Sequence, residues 1–527
     1  MSQVDPGHVF IVHGDLTRLA CDAWLMPCGS DGKPQPHWWT ELELEDDFSW
    51  PELPENWSYN ERRCYKLHER RSDRVYPTPW VTNVGGGRRS DISWFLAGVR
   101  EFMHRVSQDA SLKEPLYNRS KPLVGLPVVG TGYGGARRRA GQIVRALLPL
   151  LYESAETYGF DIVLVAYELT DYAAAQQERR AYHRQHSPRW RELPNHLRRK
   201  AHKLAEVAGA GDMVLFLGAG VSRGAGLPTW GALLEELASD PALGETLNWQ
   251  DLLNWGYADQ ARIIERALGG KRALGEAISR HLDRRHYSLS HAMLATLPAE
   301  QVVTTNYDQL YERASEAIRR PVAVLPYESV KSGDRWVLKM HGCISQPEDI
   351  VLTREDYLRY AEQRRALAGV VQSLLITKHM LFIGFSLDDE NFHRIADDVR
   401  KVVWSEDASP FATSLVLVDR PFLAQLWQDE IEMVVMMEHE PAQFVESMSK
   451  GARLLEIFLD YMLAQVADPN YLLDPRFEQM LTEDEADLRY ALSMFMRNAT
   501  PGMKRTVAWK KVDRLFKELG WDNHRSY

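Results

Sequence analysis

The stretch VLFLGAGVSRGAGLPTW, residues 214–230, starts as an apolar run and breaks into four glycines, a serine and a proline. Its apolar start, bounded by glycine, reads as a buried strand. The glycine-rich part reads as an anion site. Glycine permits a tight turn and lets an anionic group approach the backbone with no Cβ in the way. The helix expected from about Trp230 points its free N–H groups and the positive end of its dipole back at that turn. Gly218 and Gly220 fit the turn, Ser222 offers a hydroxyl donor, and Gly226, Leu227 and Pro228 form a rigid bend before the helix. A single G-x-G after a strand is weak evidence by itself.

Three further stretches strengthen it. TTNYD (304–308), KMHG (339–342) and GFSLDDEN (384–391) each close an apolar, strand-like run. In open α/β sheets ligands bind beyond the carboxyl ends of strands. Polar clusters at four strand ends therefore predict one site, with Gly384 and Ser386 as a second phosphate or ribose loop and Asn306, Asp308 and His341 converging between the loops. Further strands are expected in SLVLVD and IEMVVMME, with helices between, giving a parallel sheet over residues 206–465. His286 and His291, in RRHYSLSHAML, read as capping or core residues.

The order of these four motifs resembles that of the sirtuin superfamily: a GAG-x-S loop, a T-x-N-x-D strand end, an H-G and a G-x-S loop. The resemblance implies NAD contacts from Gly218, Ala219, Gly220, Ser222, Thr305, Asn306, Asp308, Gly384, Phe385 and Ser386, and a catalytic role for His341, assisted by Asn306 and Asp308. Sirtuin deacylases usually carry a four-cysteine zinc ribbon after the histidine, whereas only Cys343 lies in that part of this chain. The GLP-T-W and TTNYD forms are closer to the bacterial sirtuin-like NADases of anti-phage defence. Such an enzyme breaks the C–N glycosidic bond to nicotinamide through an oxocarbenium-like transition state. The leaving group is already cationic, so the demands are a fixed ribose, a placed water and a group to take a proton. Asn306 can donate and accept, and His341 can take a proton near neutral pH. Asp308 suits either an orienting role or a helix cap.

Residues 1–175 alternate strand and helix patterns. HVFIVHGDL, DAWLMPCG, PWVTNVGGG, PLVGLPVVG and FDIVLVAYE read as strands. SDISWFLAGVREFMHRVSQ reads as a capped helix, and AGQIVRALLPLLYESAETYG as a helix ended by Gly159. VHGDLTRLACDAWLMPCG and GLPVVGTGYGG resemble a macro domain. That likeness implies Asp15 on the adenine of an ADP-ribose-type signal and Gly130, Thr131, Gly132, Tyr133, Gly134 and Gly135 around its diphosphate. MPCG stands where ADP-ribose hydrolases carry asparagines, which favours binding over hydrolysis. The expected architecture is α/β: an N-terminal macro-like domain (1–175), a basic linker with a solvated helix (176–205), a sirtuin-like parallel-sheet dinucleotide-binding domain (206–465) and a small helical tail (466–527).

The 527 residues favour two to four domains. With 45% hydrophobic and 26% charged residues the composition is that of a soluble globular protein. A net charge of −10 argues against a nucleic-acid partner. The four cysteines form no C-x-x-C pair, so neither a disulfide framework nor a metal site is expected. No secretory leader or membrane span is visible, and a cytoplasmic location is expected. The expected function is a regulated NAD+ glycohydrolase, with NAD+ as substrate, no metal, and a homo-oligomeric state. A deacylase, an ADP-ribosyltransferase and a non-catalytic nucleotide-binding module are the alternatives.

Overall fold

The computed structural model describes residues 5–41, 48–57, 63–68, 77–85, 91–132, 135–186, 190–240, 243, 247–402, 410–438 and 444–521. The chain divides into two compact units. One comprises residues 1–116, 121–192 and 463–527, the other residues 117–120 and 193–462.

The first unit is built on strands β1 (Val9–His13), β2 (Ala23–Cys28), β3 (Cys64–Lys66), β4 (Thr78–Asn83), β5 (Leu123–Pro127) and β6 (Asp161–Ala166). They form one sheet in the order β1-β6-β5-β2-β4-β3. All pairings are parallel except β3 with β4. Parallel strands need crossovers, and amphipathic helices supply them. The helix Ile92–Ser107 opens on Asp91, whose carboxylate accepts from Ser93 N, and buries Trp94, Phe95, Val99, Phe102 and Val106. The helix Ala140–Tyr158 ends, as its sequence predicts, at a left-handed Gly159.

Two segments differ from the simple reading. Residues 176–205 are more than a solvated connector. Gln176, Glu178 and Arg179 are buried on the helix Leu169–Gln185, and Leu197, Ala201, Leu204, Ala205 and Ala208 form the buried stripe of the helix Asn195–Gly209. The segment after 466 joins the first unit: Tyr471, Phe477 and Met480 pack with Ala140, Ala173 and Ala174. There Arg476 is buried on Asp474 (2.8 Å) and Asp171 (3.4 Å).

The second unit holds β7 (Met213–Leu217), β8 (Gln301–Thr304), β9 (Ala323–Leu325), β10 (Trp336–Lys339), β11 (His379–Ile383), β12 (Ala412–Val418) and β13 (Ile431–Met437). The order is β13-β12-β11-β7-β8-β10-β9, and every pairing is parallel. From β7 the chain builds outward through β8 to β10, then returns to the other side of β7 at β11. The loops after β7 and β11 therefore flank the point where the winding reverses, the place where open sheets bind ligands. Register fixes the rest. Leu217 pairs with Ile383 and with Thr304, and Thr304 with Lys339. All four polar clusters thus leave the sheet at one level.

Candidate functional site

The loops after β7 and β11 pack backbone to backbone. Gly218 N donates to Ile383 O at 3.0 Å and Gly220 N to Gly384 O at 2.9 Å. A Cβ on Gly218 would stand 2.4 Å from Gly384 O, and one on Gly220 would stand 2.7 Å from Gly384 Cα. Gly384 has φ +65°, and its own Cβ would meet Val221 N at 2.5 Å. These glycines are required first by loop-on-loop contact. That demand is separate from the approach of an anion read from the sequence. The turn Ala219–Ala225 closes on Gly226, left-handed at φ +79°.

Ser222 does not offer its hydroxyl to the outside. It is 2% exposed, and its Oγ donates to Asp308 Oδ2 at 2.9 Å. Asp308 is buried too, and its other oxygen accepts from Leu310 N at 3.0 Å, at the start of the helix Leu310–Ala317. Asp308 therefore ties the glycine turn to the end of β8 and to the first residue of that helix. From β10, Lys339 pairs with Glu312 at 2.7 Å and donates to the Asp308 carbonyl. This buried set holds the TTNYD turn from below.

Asn306 sits on that turn, half-buried. Its amide nitrogen donates to Gly218 O at 3.1 Å and Ser222 Oγ at 3.3 Å. Its Oδ1 is buried with no hydrogen-bond partner among the described residues. A buried acceptor left open costs about 1–3 kcal/mol, so this atom is set for a donor from a ligand or water.

His341 is 1% exposed, and its ring nitrogen Nδ1 has no hydrogen-bond partner among the described residues. On the other side Nε2 lies 3.5 Å from Asp389 Oδ2 and 3.4 Å from Asn391 Nδ2. Tyr357 and Tyr360 meet the ring edge-on, with centroids at 5.6 and 5.8 Å. Burial holds the His341 pKa below its ordinary value; Asp389 pulls it up and Arg364 pushes it further down. The ring is thus neutral at pH 7 and able to take a proton. If it acts as a base, the acid limb of the kcat profile should lie below the ordinary imidazole value of about 6.5. A limb clearly above that value would assign it to another group.

A cleft of about 1910 Å³ opens above these strand ends. Single small-molecule sites typically occupy roughly 300–1,000 Å³, so it has room for an extended ligand. Ala219, Gly220, Thr305, His341, Gly384, Phe385 and Ser386 line it. Phe385 is anchored on Phe216, centroid to centroid 4.5 Å. Arg223 and Arg394 also line the cleft, are exposed, and have no ion-pair partner among the described residues. Gly218, Ser222, Asn306 and Asp308 support the wall. His291 is the N3 residue of a capping box with Ser288, as expected, and burial holds its pKa down to about 4. His286 is buried.

Sequence reasoning missed Asp389, Asn391, Tyr357, Tyr360 and Arg364 around His341. Asp389 and Asn391 stood inside the GFSLDDEN stretch. The two tyrosines and the arginine share a helix-face spacing of three and four residues, a signal that reads equally as core.

In the first unit, Asp15 accepts from Thr17 N at 2.9 Å and Thr17 Oγ1 at 2.7 Å, capping the turn Leu16–Arg18. Gly130 is left-handed at φ +92°, and a Cβ there would meet the Phe95 ring at 2.7 Å. Gly135 is left-handed as well, at φ +83°. Thr131 Oγ1 donates to Val128 O at 2.8 Å. Gly132 faces open space. Tyr133 and Gly134 lie outside the described residues. Cys21, Cys28, Cys64 and Cys343 are buried and form no disulfide. Among the described residues no cluster of three or more His, Cys, Asp or Glu side chains could hold a metal ion, and no helix is long and apolar enough to cross a membrane.

Residues 300–420 match the model of the SIR2-like domain. The chain is 32% identical over 209 residues to an NAD(+) hydrolase ThsA of Enterococcus faecium, covering 38% of this chain and 42% of that protein. It is 31% identical over 203 residues to an NAD(+) hydrolase ThsA of Bacillus cereus, covering 36% and 40%. It is 25% identical over 309 residues to Defense-associated sirtuin 2 of Bacillus subtilis, covering 55% and 28%. The chain thus spans less than half the length of these relatives.

Proposed function

We propose that this protein is an NAD+ glycohydrolase of anti-phage defence, releasing nicotinamide and ADP-ribose, and that an ADP-ribose-type nucleotide bound by its macro-like first unit regulates it. The observation that carries the catalytic half is that His341 Nδ1 and Asn306 Oδ1, both buried and without a hydrogen-bond partner among the described residues, lie just beyond the ends of neighbouring strands beside two interlocked glycine loops. The names of the ThsA relatives point the same way.

The geometry suits the reaction. Arg223 and Arg394 complement a pyrophosphate, by charge-assisted hydrogen bonds. Asn306 Oδ1 accepts from a ribose hydroxyl or the attacking water. Breaking the C–N bond returns its electron pair to the pyridinium, so nicotinamide leaves neutral. Water adds to the anomeric carbon, and His341 Nδ1 takes the proton. Incubation of the full chain with NAD+, with and without ADP-ribose-type nucleotides, should release nicotinamide and ADP-ribose in equal amounts. Binding of NAD+ without turnover under every trigger would leave a nucleotide-binding module instead.

The regulatory half rests on the turn after β5, where Gly130 and Gly135 are left-handed and a Cβ on Gly132 would meet no atom of the described residues within 4 Å. A carboxylate placed there would repel a diphosphate and occupy its donors. Gly132→Glu should abolish ADP-ribose binding and activation, while the melting temperature stays within about 2 °C of wild type. Equal activation of variant and wild type would remove this loop as the sensor.

A further inference from the structure

His341 reaches the cleft from the end of β10, but the groups that hold its ring come from about 50 residues downstream. Asp389 precedes the helix Glu390–Val402, and its two oxygens have separate tasks. Oδ1 accepts from Phe392 N at 2.9 Å, which fixes the carboxylate to the helix start. Oδ2 faces His341 Nε2 at 3.5 Å and accepts from Tyr357 Oη at 3.3 Å. Asn391 reaches the same ring nitrogen, and its Oδ1 has no partner among the described residues. With the amide turned over, that oxygen gives an Nε2 proton a second acceptor. The opposite nitrogen, Nδ1, is left open.

We propose that Asp389 is a positioning residue that fixes the His341 tautomer: it holds the proton on Nε2, with Asn391 as a second acceptor, and so presents Nδ1 as the proton-accepting atom. This rests on the glycohydrolase reading for its consequence, but the tautomer itself does not. A neutral imidazole carries one proton, and the hydrogen bond made by one nitrogen decides which nitrogen is free. Hydrogen bonds of this kind are often long before substrate is bound and tighten afterwards. The remaining groups around the ring do not compete for Nε2. Arg364 is engaged by Met340 O at 3.2 Å and Asp349 O at 2.7 Å and cannot accept. Tyr360 lies edge-on to the ring, and Tyr357 directs its hydroxyl to Asp389. When Nδ1 takes a proton, the imidazolium has the Asp389 carboxylate beside it.

The test is Asp389→Asn in the full chain. Asparagine keeps the acceptor for Phe392 N, so the helix start survives and melting checks it. The expected result is a fall in kcat of about tenfold or more with KM for NAD+ changed less than about twofold. The acid limb of the kcat profile should move to lower pH, because the lost carboxylate favoured the protonated ring. A titration of histidine nitrogens by NMR, with the His341 signals assigned from their absence in His341→Ala, gives a readout independent of turnover. In wild type the Nε2–H tautomer should dominate, and in Asp389→Asn that preference should fall and the ring should titrate lower. Unchanged tautomer and titration would overturn the proposal and leave Asp389 a helix cap. A raised KM with unchanged kcat would overturn it in favour of direct substrate binding. If wild type does not cleave NAD+, the glycohydrolase reading fails and the NMR result alone decides the role of Asp389.

Discussion

His341→Ala is expected to reduce NAD+ cleavage by about 10²–10⁴-fold, the usual loss when a general base is removed. The loss should fall on kcat. NAD+ affinity should hold within a few-fold, because the groups assigned to the pyrophosphate and ribose, Arg223, Arg394 and Asn306, lie on other elements. The variant should also fold. Among the described residues the His341 side chain makes only long polar contacts, at 3.4 and 3.5 Å, and its Nδ1 has none. Truncation therefore strands no strong hydrogen bond, although it leaves a cavity beside the Tyr357 and Tyr360 rings. Such a cavity costs on the order of 2 kcal/mol. Melting temperature, NAD+ titration and nicotinamide release, taken together, separate a chemical loss from a structural one. Near-wild-type turnover by a folded His341→Ala would take the histidine out of the mechanism.

Much of this site was legible in the sequence because one physical fact carries it. In a parallel sheet, a strand buried on both faces is a continuous apolar run, and the chain must turn polar where it leaves the sheet. VLFL, QVVT, WVLK and MLFI each show that break, and the structure brings their ends to one level. The strands missed, β3 and β9, are three residues long, too short for any periodic pattern to show. Short-range signals were legible for the same local reason: Gly159 ends its helix and His291 caps its own.

Relations between residues far apart in the chain stayed hidden. The Ser222–Asp308 hydrogen bond spans 86 positions. From composition alone, a serine in a glycine turn is a free donor; its partner becomes visible only once β7 and β8 are adjacent. The same holds for Asp389 beside His341. The amphipathic stripe Leu197–Ala201–Leu204–Ala208 was masked differently, by the arginines and lysines between its apolar positions. Composition suggested a solvated linker where spacing of three and four residues indicated a packed helix.

Gly220→Val is expected to damage both stability and NAD+ binding, and the first effect explains the second. A side chain at residue 220 points at backbone: its Cβ would stand 2.7 Å from Gly384 Cα and 2.9 Å from Gly384 O. Neither atom can rotate away as a side chain would. Gly384 cannot retreat easily, since its left-handed backbone, at φ +65°, is packed against Gly220 and Val221. The two loops must part, and the Gly220 N to Gly384 O bond breaks with them. Overpacking of this kind costs about 1–3 kcal/mol, and a lost hydrogen bond about 1 kcal/mol more. For a unit of this size that is a drop in melting temperature of roughly 4–16 °C. The Phe385 and Ser386 wall of the cleft moves with Gly384, so NAD+ affinity should fall by about tenfold or more. Gly220→Ala brings the same Cβ without the two methyls and should lie between wild type and Val in both measurements. The two losses should therefore scale together across Gly, Ala and Val. Full stability combined with lost NAD+ binding would return Gly220 to the role first read from its sequence, direct contact with the anion. Full binding combined with lost stability would separate the interlocked loops from the ligand altogether.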